Sequence, residues 1–285
     1  VRPTLASPLQ YAANTGLLQI NAKSSTTLEA TAELASVSVN FSIGPALAGG
    51  GGRTTNNVTA ITDANLDSTV AMVNGDVTIS AVTDVTTTAL NRGVALALGL
   101  SLAVQGMDAQ TDIDIDNTAG TANESSIDAR DVTISALATP SAAASTFAVT
   151  GGAIGVGVST VDTDVNVLST ATTLDTDFTV HDITVSADEA RASADADTAY
   201  SSAQGIVGAL IGTDATVTHA DHIGNVTALL GAGTSIIASG TVAATARGDN
   251  RQRAYSDSAA GGLVAAGATK AYATSTSNTK ATVAD

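Results

Sequence analysis

A five-residue motif that recurs at nearly even spacing constrains the fold of this chain more than any other feature. It reads aliphatic, any residue, aliphatic, polar, alanine, and its five copies occupy residues 18–22, 77–81, 132–136, 183–187 and 242–246. Three copies have an aspartate directly before them, at positions 76, 131 and 182. Self-similarity at a fixed period indicates a repeat architecture, in which each unit buries its apolar face against its neighbours. The chain is therefore predicted to consist of about five stacked units.

The segments between the motif copies have the character of β-strands. Alternation of polar and β-branched residues, clearest at 111–116 and 161–167, has the two-residue period of a strand. Glycine-aliphatic runs such as 151–158 are also predicted to be strands, because each interior glycine would cost a helix ~1 kcal/mol. Each unit is thus predicted to contain about four β segments.

These patterns predict an all-β fold, an elongated repetitive β-solenoid of about five units. Residues 1–16 are a lead-in, and units 1 to 5 are assigned to residues 17–75, 76–130, 131–181, 182–240 and 241–285. The five motif copies should pair in one sheet with their aliphatic residues pointing inward. A solenoid without end caps exposes unpaired strand edges, so the chain is expected to polymerise or to be part of a longer polymer. A five-bladed propeller is the alternative fold.

The composition restricts the range of functions. Only 2 % of the residues are aromatic, and tryptophan and cysteine are absent. A core of alanine, valine and glycine fills space only between regularly stacked, closely spaced elements. No nucleophile elbow or thiol nucleophile occurs. The chain is therefore not expected to be an enzyme, and no catalytic residue is predicted.

The net charge of −16 restricts the partners. It repels phosphate backbones and attracts divalent cations, so a nucleic-acid partner is not expected. The most apolar run, residues 94–104, has 11 residues. A membrane-spanning helix needs about 20, so no membrane span is expected.

The motif and the glycine runs together resemble the repetitive passenger regions of large bacterial secreted adhesins, of the filamentous-haemagglutinin-like and leukotoxin-like filamentous types. The resemblance is carried by residues 132–136 with 151–158 and by residues 183–187 with 205–212, and it extends over nearly the whole chain. It implies a right-handed β-helix, secretion to the bacterial cell surface, and a role in adhesion or in extracellular fibres.

Two acidic runs are the candidate metal site. They comprise Asp112, Asp114 and Asp116 in unit 2 and Asp162, Asp164 and Asn166 in unit 3. Residues two apart share one face of a strand. If the units stack in register, the two runs lie on adjacent strands, where like charges repel and where Ca²⁺ would find hard oxygen ligands. The alternative is that these side chains only face water and keep fibres from bundling.

The tripeptide Arg247-Gly248-Asp249 is a candidate adhesion motif, because many integrins recognise these three residues. It follows a predicted strand and is expected to lie in a loop. The alternative is that the tripeptide occurs by chance, since a match of three residues is weak evidence.

The pair His219 and His222, with Asp221 between them, suggests a metal site at first sight. Positions three apart on a strand face opposite sides, however. A surface or turn role is therefore predicted for both histidines.

The function predicted from these observations is a structural and adhesive module of an extracellular fibre, which associates with itself and binds a cell-surface or carbohydrate ligand. The alternative is a β-helix protein that binds or modifies carbohydrate. That alternative needs clustered acids and aromatic platforms, whereas the four tyrosines are scattered at positions 11, 200, 255 and 272. Ice or mineral binding through threonine arrays is a third hypothesis.

Overall fold

The computed structural model describes residues 4–6, 10–13, 16–39 and 46–284, and the regular elements in these ranges are all β-strands, which confirms the all-β prediction. In chain order they are β1 (Thr4–Ala6), β2 (Gln10–Ala13), β3 (Leu18–Val39), β4 (Ala46–Asp67), β5 (Val70–Val73), β6 (Val77–Leu98), β7 (Ser101–Ala122), β8 (Ser125–Asp128), β9 (Asp131–Thr173), β10 (Thr176–Val180), β11 (Asp182–Glu189), β12 (Ala199–Leu230), β13 (Ser235–Ala238), β14 (Val242–Gly248), β15 (Gln252–Gly261) and β16 (Val264–Val283).

Units 1 and 2 each contain two long strands and one short strand, whereas in unit 4 the first stretch is interrupted between β11 and β12, and the described part of unit 5 has no short third strand. In unit 2 the long strands are β6 and β7, with 22 residues each, and the short strand is β8, with four. Gly99, with a φ of 93°, makes the turn between the two long strands. In unit 3 the corresponding stretches form one continuous strand, β9. The prediction of four β segments per unit is therefore wrong. The alanine-rich stretch keeps the two-residue alternation, and the glycine-aliphatic run of β9 interrupts it only at residues 151–154, so both lengthen the neighbouring strands instead of starting new ones.

All pairings between the described strands are parallel, and they join each unit to its neighbours in the sequence. The first residues of the five motif copies form one row, in which Leu18 lies beside Val77, Val77 beside Val132, Val132 beside Ile183, and Ile183 beside Val242. This register confirms that the five copies stack in one sheet. The propeller alternative is wrong, because propeller blades are antiparallel.

The interior narrows from the short strands towards the turn between the long strands. Near the short strands it is wide enough for large side chains, namely Leu66, Ile79, Ile127 and Phe178. Further along, the two long strands approach each other, and the core consists of Ala89, Ala109, Ala144, Val161 and Ala203. Nearer the turn, a further cluster consists of Ala48, Ala97 and Ala103. The small-residue composition thus follows from a core that tapers.

Several polar side chains are buried in the narrow part of the interior, and glycines make room for two of the larger ones, Gln105 and Asp214. Gln105 and Asp214 are 1 % and 3 % exposed. A Cβ added to Gly93 would collide with the Gln105 amide, and one added to Gly157 or Gly205 would collide with the Asp214 carboxylate. These three glycines lie within strands, so they serve close packing and not turns.

Candidate functional site

A row of acidic side chains crosses the outer face of the sheet on β7, β9 and β12. Asp112 on β7 lies beside Asp164 on β9, and Asp164 lies beside Asp221 on β12. Asn57 on β4 extends the row on the side of unit 1. The row faces outward because the residues that alternate with it, such as Val165, are buried. We call Asp112, Asp164 and Asp221 the acidic row.

The other residues of the predicted metal site lie near this row. Asn166 lies beside Asp114, and its Nδ2 donates a hydrogen bond to Asp114 Oδ1 at 3.2 Å. Asp162 lies beside His219, and Asp116 has no acidic neighbour in register. The two acidic runs therefore lie on adjacent strands, but the first residue of the unit 2 run, Asp112, lies beside the second residue of the unit 3 run, Asp164. Asp221, which lies in the next unit, was not among the residues of the predicted Ca²⁺ site.

The electrostatics of the acidic row depart from those of isolated aspartates. Partial burial, together with the carboxylates of Asp162, Asp221 and Asp112, raises the pKa of Asp164 from 3.8 to about 6. Partial burial is also the largest cause that raises the pKa of Asp162, while the nearby His219 opposes the shift. The row thus favours binding of a proton or a cation.

Asp164→Asn is expected to stabilise the protein at pH 8 and to leave its stability unchanged at pH 4. The folded state binds more protons than the unfolded state between pH 3.8 and about 6, so the wild type loses stability as the pH rises through this window. The variant has no carboxyl group to titrate there. The gain is about 1 kcal/mol or less, because solvent screens this outer face.

Urea denaturation of both proteins between pH 4 and pH 8 checks this expectation. Asp116→Asn is the matched control, since Asp116 has no acid beside it in register. Equal pH dependence of the wild type and Asp164→Asn would contradict the effect assigned to the acidic row.

The acidic row offers only oxygen ligands, which suit Ca²⁺. Its oxygen atoms are spread along three strands. Within the described ranges, one group brings three ligand atoms within 4.8 Å of one another, and it consists of Asp131, His181 and Asp182. The structure thus contains a second acidic cluster, which the sequence analysis did not assign as a site.

This second cluster lies at the aspartates that precede the motif. Asp131 and Asp182 are neighbours in register, and His181 Nδ1 lies 3.6 Å from Asp131 Oδ1 and 3.3 Å from Asp182 Oδ2. Arg130 continues the chain of charges, with Nη2 2.7 Å from Asp76 Oδ1 and Nε 3.2 Å from Asp131 Oδ2. An imidazole and two carboxylates are donors that zinc accepts. In the present arrangement Arg130 and His181 link the aspartates of successive units.

The Arg247-Gly248-Asp249 tripeptide is only partly in a loop, because Arg247 and Gly248 belong to β14. The Arg247 side chain is 75 % exposed, but that of Asp249 is 34 % exposed. Asp249 Oδ1 lies 2.9 Å from Arg191 Nε. An integrin-type receptor would have to bind this carboxylate, and the ion pair with Arg191 competes with that contact.

A buried ionisable pair was missed in the sequence. His222 Nε2 lies 2.6 Å from Glu189 Oε1, and the two side chains are 0 % and 1 % exposed. Glu189 Oε2 has no hydrogen-bond partner among the described residues, whereas His222 Nδ1 lies 3.5 Å from Ser275 Oγ. The predicted surface or turn role is wrong for His222, because its position in the alternation points inward. His219 points outward and stacks on Tyr272.

The buried pair could have been predicted by comparing the sequences of units 3 and 4. Three positions change together, since Val165 corresponds to His222, Ala138 to Glu189 and Val167 to Gly224. A Cβ on Gly224 would lie 2.5 Å from Glu189 Oε2 and 2.7 Å from His222 Cε1. The glycine therefore provides the space that the pair occupies.

No family model, curated protein or solved structure matches this chain. The described residues include no helix with the length and apolar character that a bilayer crossing requires.

Proposed function

We propose that this chain is a structural and adhesive module of an extracellular bacterial fibre or surface adhesin. In this proposal the fold is a β-solenoid that winds like a right-handed β-helix, and the chain acts at the cell surface by stacking and contact, without catalysis. The parallel pairing of each unit with its sequence neighbours supports the solenoid. Parallel crossovers are right-handed in nearly all proteins, which supports the winding.

The observation that carries the proposal is the exposure of the motif in unit 5. Its first residue, Val242, is 46 % exposed, whereas the equivalent residues Val77, Val132 and Ile183 are 0–1 % exposed. Within the described ranges, β14, β15 and β16 each pair along one edge only. An apolar face with unpaired strand edges is a template for a further unit or for a second copy of the chain.

Val283→Lys is expected to weaken self-association of the chain by about tenfold or more, because it places a charge in the contact between stacked units. Val283 lies on β16 and is 71 % exposed, beside the buried Leu230 of unit 4. Sedimentation velocity over a range of concentrations measures the effect. The wild type should form larger species as its concentration rises.

Leu100→Lys is the matched control. Leu100 is 73 % exposed but lies at the turn between the long strands of unit 2, away from the end of the stack. This variant should associate like the wild type. A wild type that stays a sharp monomer at every concentration, or one that Val283→Lys leaves unchanged, would contradict the proposal.

We further propose that Ca²⁺ binds at the acidic row and bridges units 2 to 4. The register supports this, since it places three carboxylates on adjacent strands. After partial burial, the neighbouring carboxylates are the next causes of the raised pKa of Asp164. Thermal melting with Ca²⁺ and with chelator tests it. The wild type should melt higher with Ca²⁺, and equal melting would mean that the acidic row only faces water.

A further inference from the structure

An open groove of about 950 Å³ crosses units 1 to 4 on the outer face of β3, β6, β9 and β12. Its lining includes two of the chain's few aromatic side chains, Phe147 on β9 and Tyr200 on β12. Arg92 and Gln204 flank Phe147 in register, on β6 and β12. We call this feature the Phe147–Tyr200 groove.

Ser202 and Ser145 form the floor of the groove. Ser202 lies between Tyr200 and Gln204 on the outward side of β12, yet it is only 8 % exposed. Its neighbour in register is Ser145 on β9, which also lines the groove. Two hydroxyl-bearing residues therefore form the floor, and the aromatic residues stand beside them.

The polar side chains of the groove are free to bind a ligand. Within the described ranges, Arg92, Ser145, Ser202 and Gln204 form no side-chain hydrogen bond or ion pair. Convergent polar groups beside apolar surface are characteristic of ligand sites.

The Tyr200 ring, in contrast, is held in place. The Arg253 guanidinium lies 4.8 Å from the ring centroid, and Arg253 Nη2 lies 2.8 Å from Asp197 Oδ2. The Asp197 carboxylate also pairs with Arg251. The aromatic surface is thus preorganised, which lowers the entropic cost of binding.

The geometry and the charge argue against two other ligand classes. A peptide that adds as a strand needs an unpaired edge, but β9 at the centre of the groove is paired on both sides, with β6 and with β12. The described pairing of β3 is with β6 alone, so an added strand would lie beside the groove and not across it. Among the described residues that line the groove, Arg92 is the one cationic side chain, and it lies beside Glu33. With a chain net charge of −16, the groove has no excess of positive charge to hold an anion.

We propose that the Phe147–Tyr200 groove binds a neutral linear oligosaccharide. A sugar ring has an apolar face of C–H groups, which an aromatic side chain can cover, and a rim of hydroxyl groups, which Arg92, Gln204 and the two serines can bind. The groove crosses the strands, so a linear chain lying in it contacts several units. This inference rests on the adhesive part of the proposed function and names its ligand, but it does not require the chain to assemble.

Isothermal titration with cellohexaose, xylohexaose and chitohexaose tests the inference, with a heparin hexasaccharide as the acidic comparison. At least one neutral hexasaccharide should bind, and the heparin fragment should not. Tyr200→Ala should weaken the binding by about tenfold or more, because an aromatic contact at the centre of a site contributes strongly. Ser202→Trp should abolish the binding by filling the groove from its floor.

Tyr272→Ala is the matched control, since Tyr272 lies on β16 and does not line the groove. Melting curves establish that each variant is folded. If Tyr200→Ala is not folded, Ser202→Trp is the variant that tests the groove. Absence of neutral-sugar binding at millimolar concentration, binding of the heparin fragment alone, or binding that survives Ser202→Trp would overturn the inference. Binding by a Val283→Lys monomer would separate this result from the outcome of the assembly experiment.

Discussion

His222→Val is expected to lower the free energy of unfolding by about 3–5 kcal/mol, because it leaves the Glu189 carboxyl group buried without its partner. Valine itself fits the position, since Val165 occupies the equivalent place in unit 3. Gly224 stands where unit 3 has Val167, so a variant that also fills this space is needed to separate the carboxyl group from packing. Urea denaturation at pH 7 gives the value.

The triple variant Glu189→Ala/His222→Val/Gly224→Val is the decisive control. It gives unit 4 the residues that unit 3 has at these three positions, Ala138, Val165 and Val167, which pack together in the core. A buried ion pair replaced by well-packed apolar residues often leaves stability unchanged or raises it. The triple variant should therefore be close to the wild type. A triple variant that loses as much stability as His222→Val would mean that the loss does not come from the isolated carboxyl group.

Phe178→Ala is expected to lower the free energy of unfolding by about 3–5 kcal/mol, the range observed for large cavities in protein cores. Phe178 is 1 % exposed and belongs to the cluster in the wide part of the interior. Its position on a short strand that pairs on both sides leaves little freedom for collapse around a cavity. Chemical denaturation measures the loss.

Phe178→Ile is the matched control for the cavity. The neighbours of Phe178 in register are Ile127 and Ile236, so isoleucine is the residue that adjacent units use here. This variant should lose about 1–2 kcal/mol, clearly less than the alanine variant. A loss below about 1 kcal/mol for Phe178→Ala would show that the interior adapts around position 178, contrary to the packing described.

The register of the units could be predicted from the sequence because it depends on a local, repeated signal. A two-residue period determines which residues point inward, and a shift of one residue would turn every aliphatic residue of the motif to solvent. Copies such as 77–81 and 132–136 therefore had to align, and they do. The number of strands was mispredicted because glycine and alanine runs do not by themselves end a strand.

The buried pair was missed for a different physical reason. His222 and Glu189 are 33 positions apart, and they meet only because β11 and β12 face each other within unit 4. The two-residue alternation within one strand cannot predict a contact between two different strands. Alignment of the units would have indicated it, since a histidine, a glutamate and a glycine replace small or branched aliphatic residues in the same unit. The alignment of the two acidic runs could likewise not be predicted, because the spacing between motif copies varies.

The width of the units has a consequence for what a stack of them can do. Each unit adds one strand spacing of about 4.8 Å along the stacking direction, so five units reach only about 24 Å. A strand of 22 residues, such as β6, extends up to about 70 Å across that direction. The chain thus builds a plate that is broader than it is tall. Added units enlarge its faces faster than they extend its reach, and many weak contacts side by side on such a face act together through avidity.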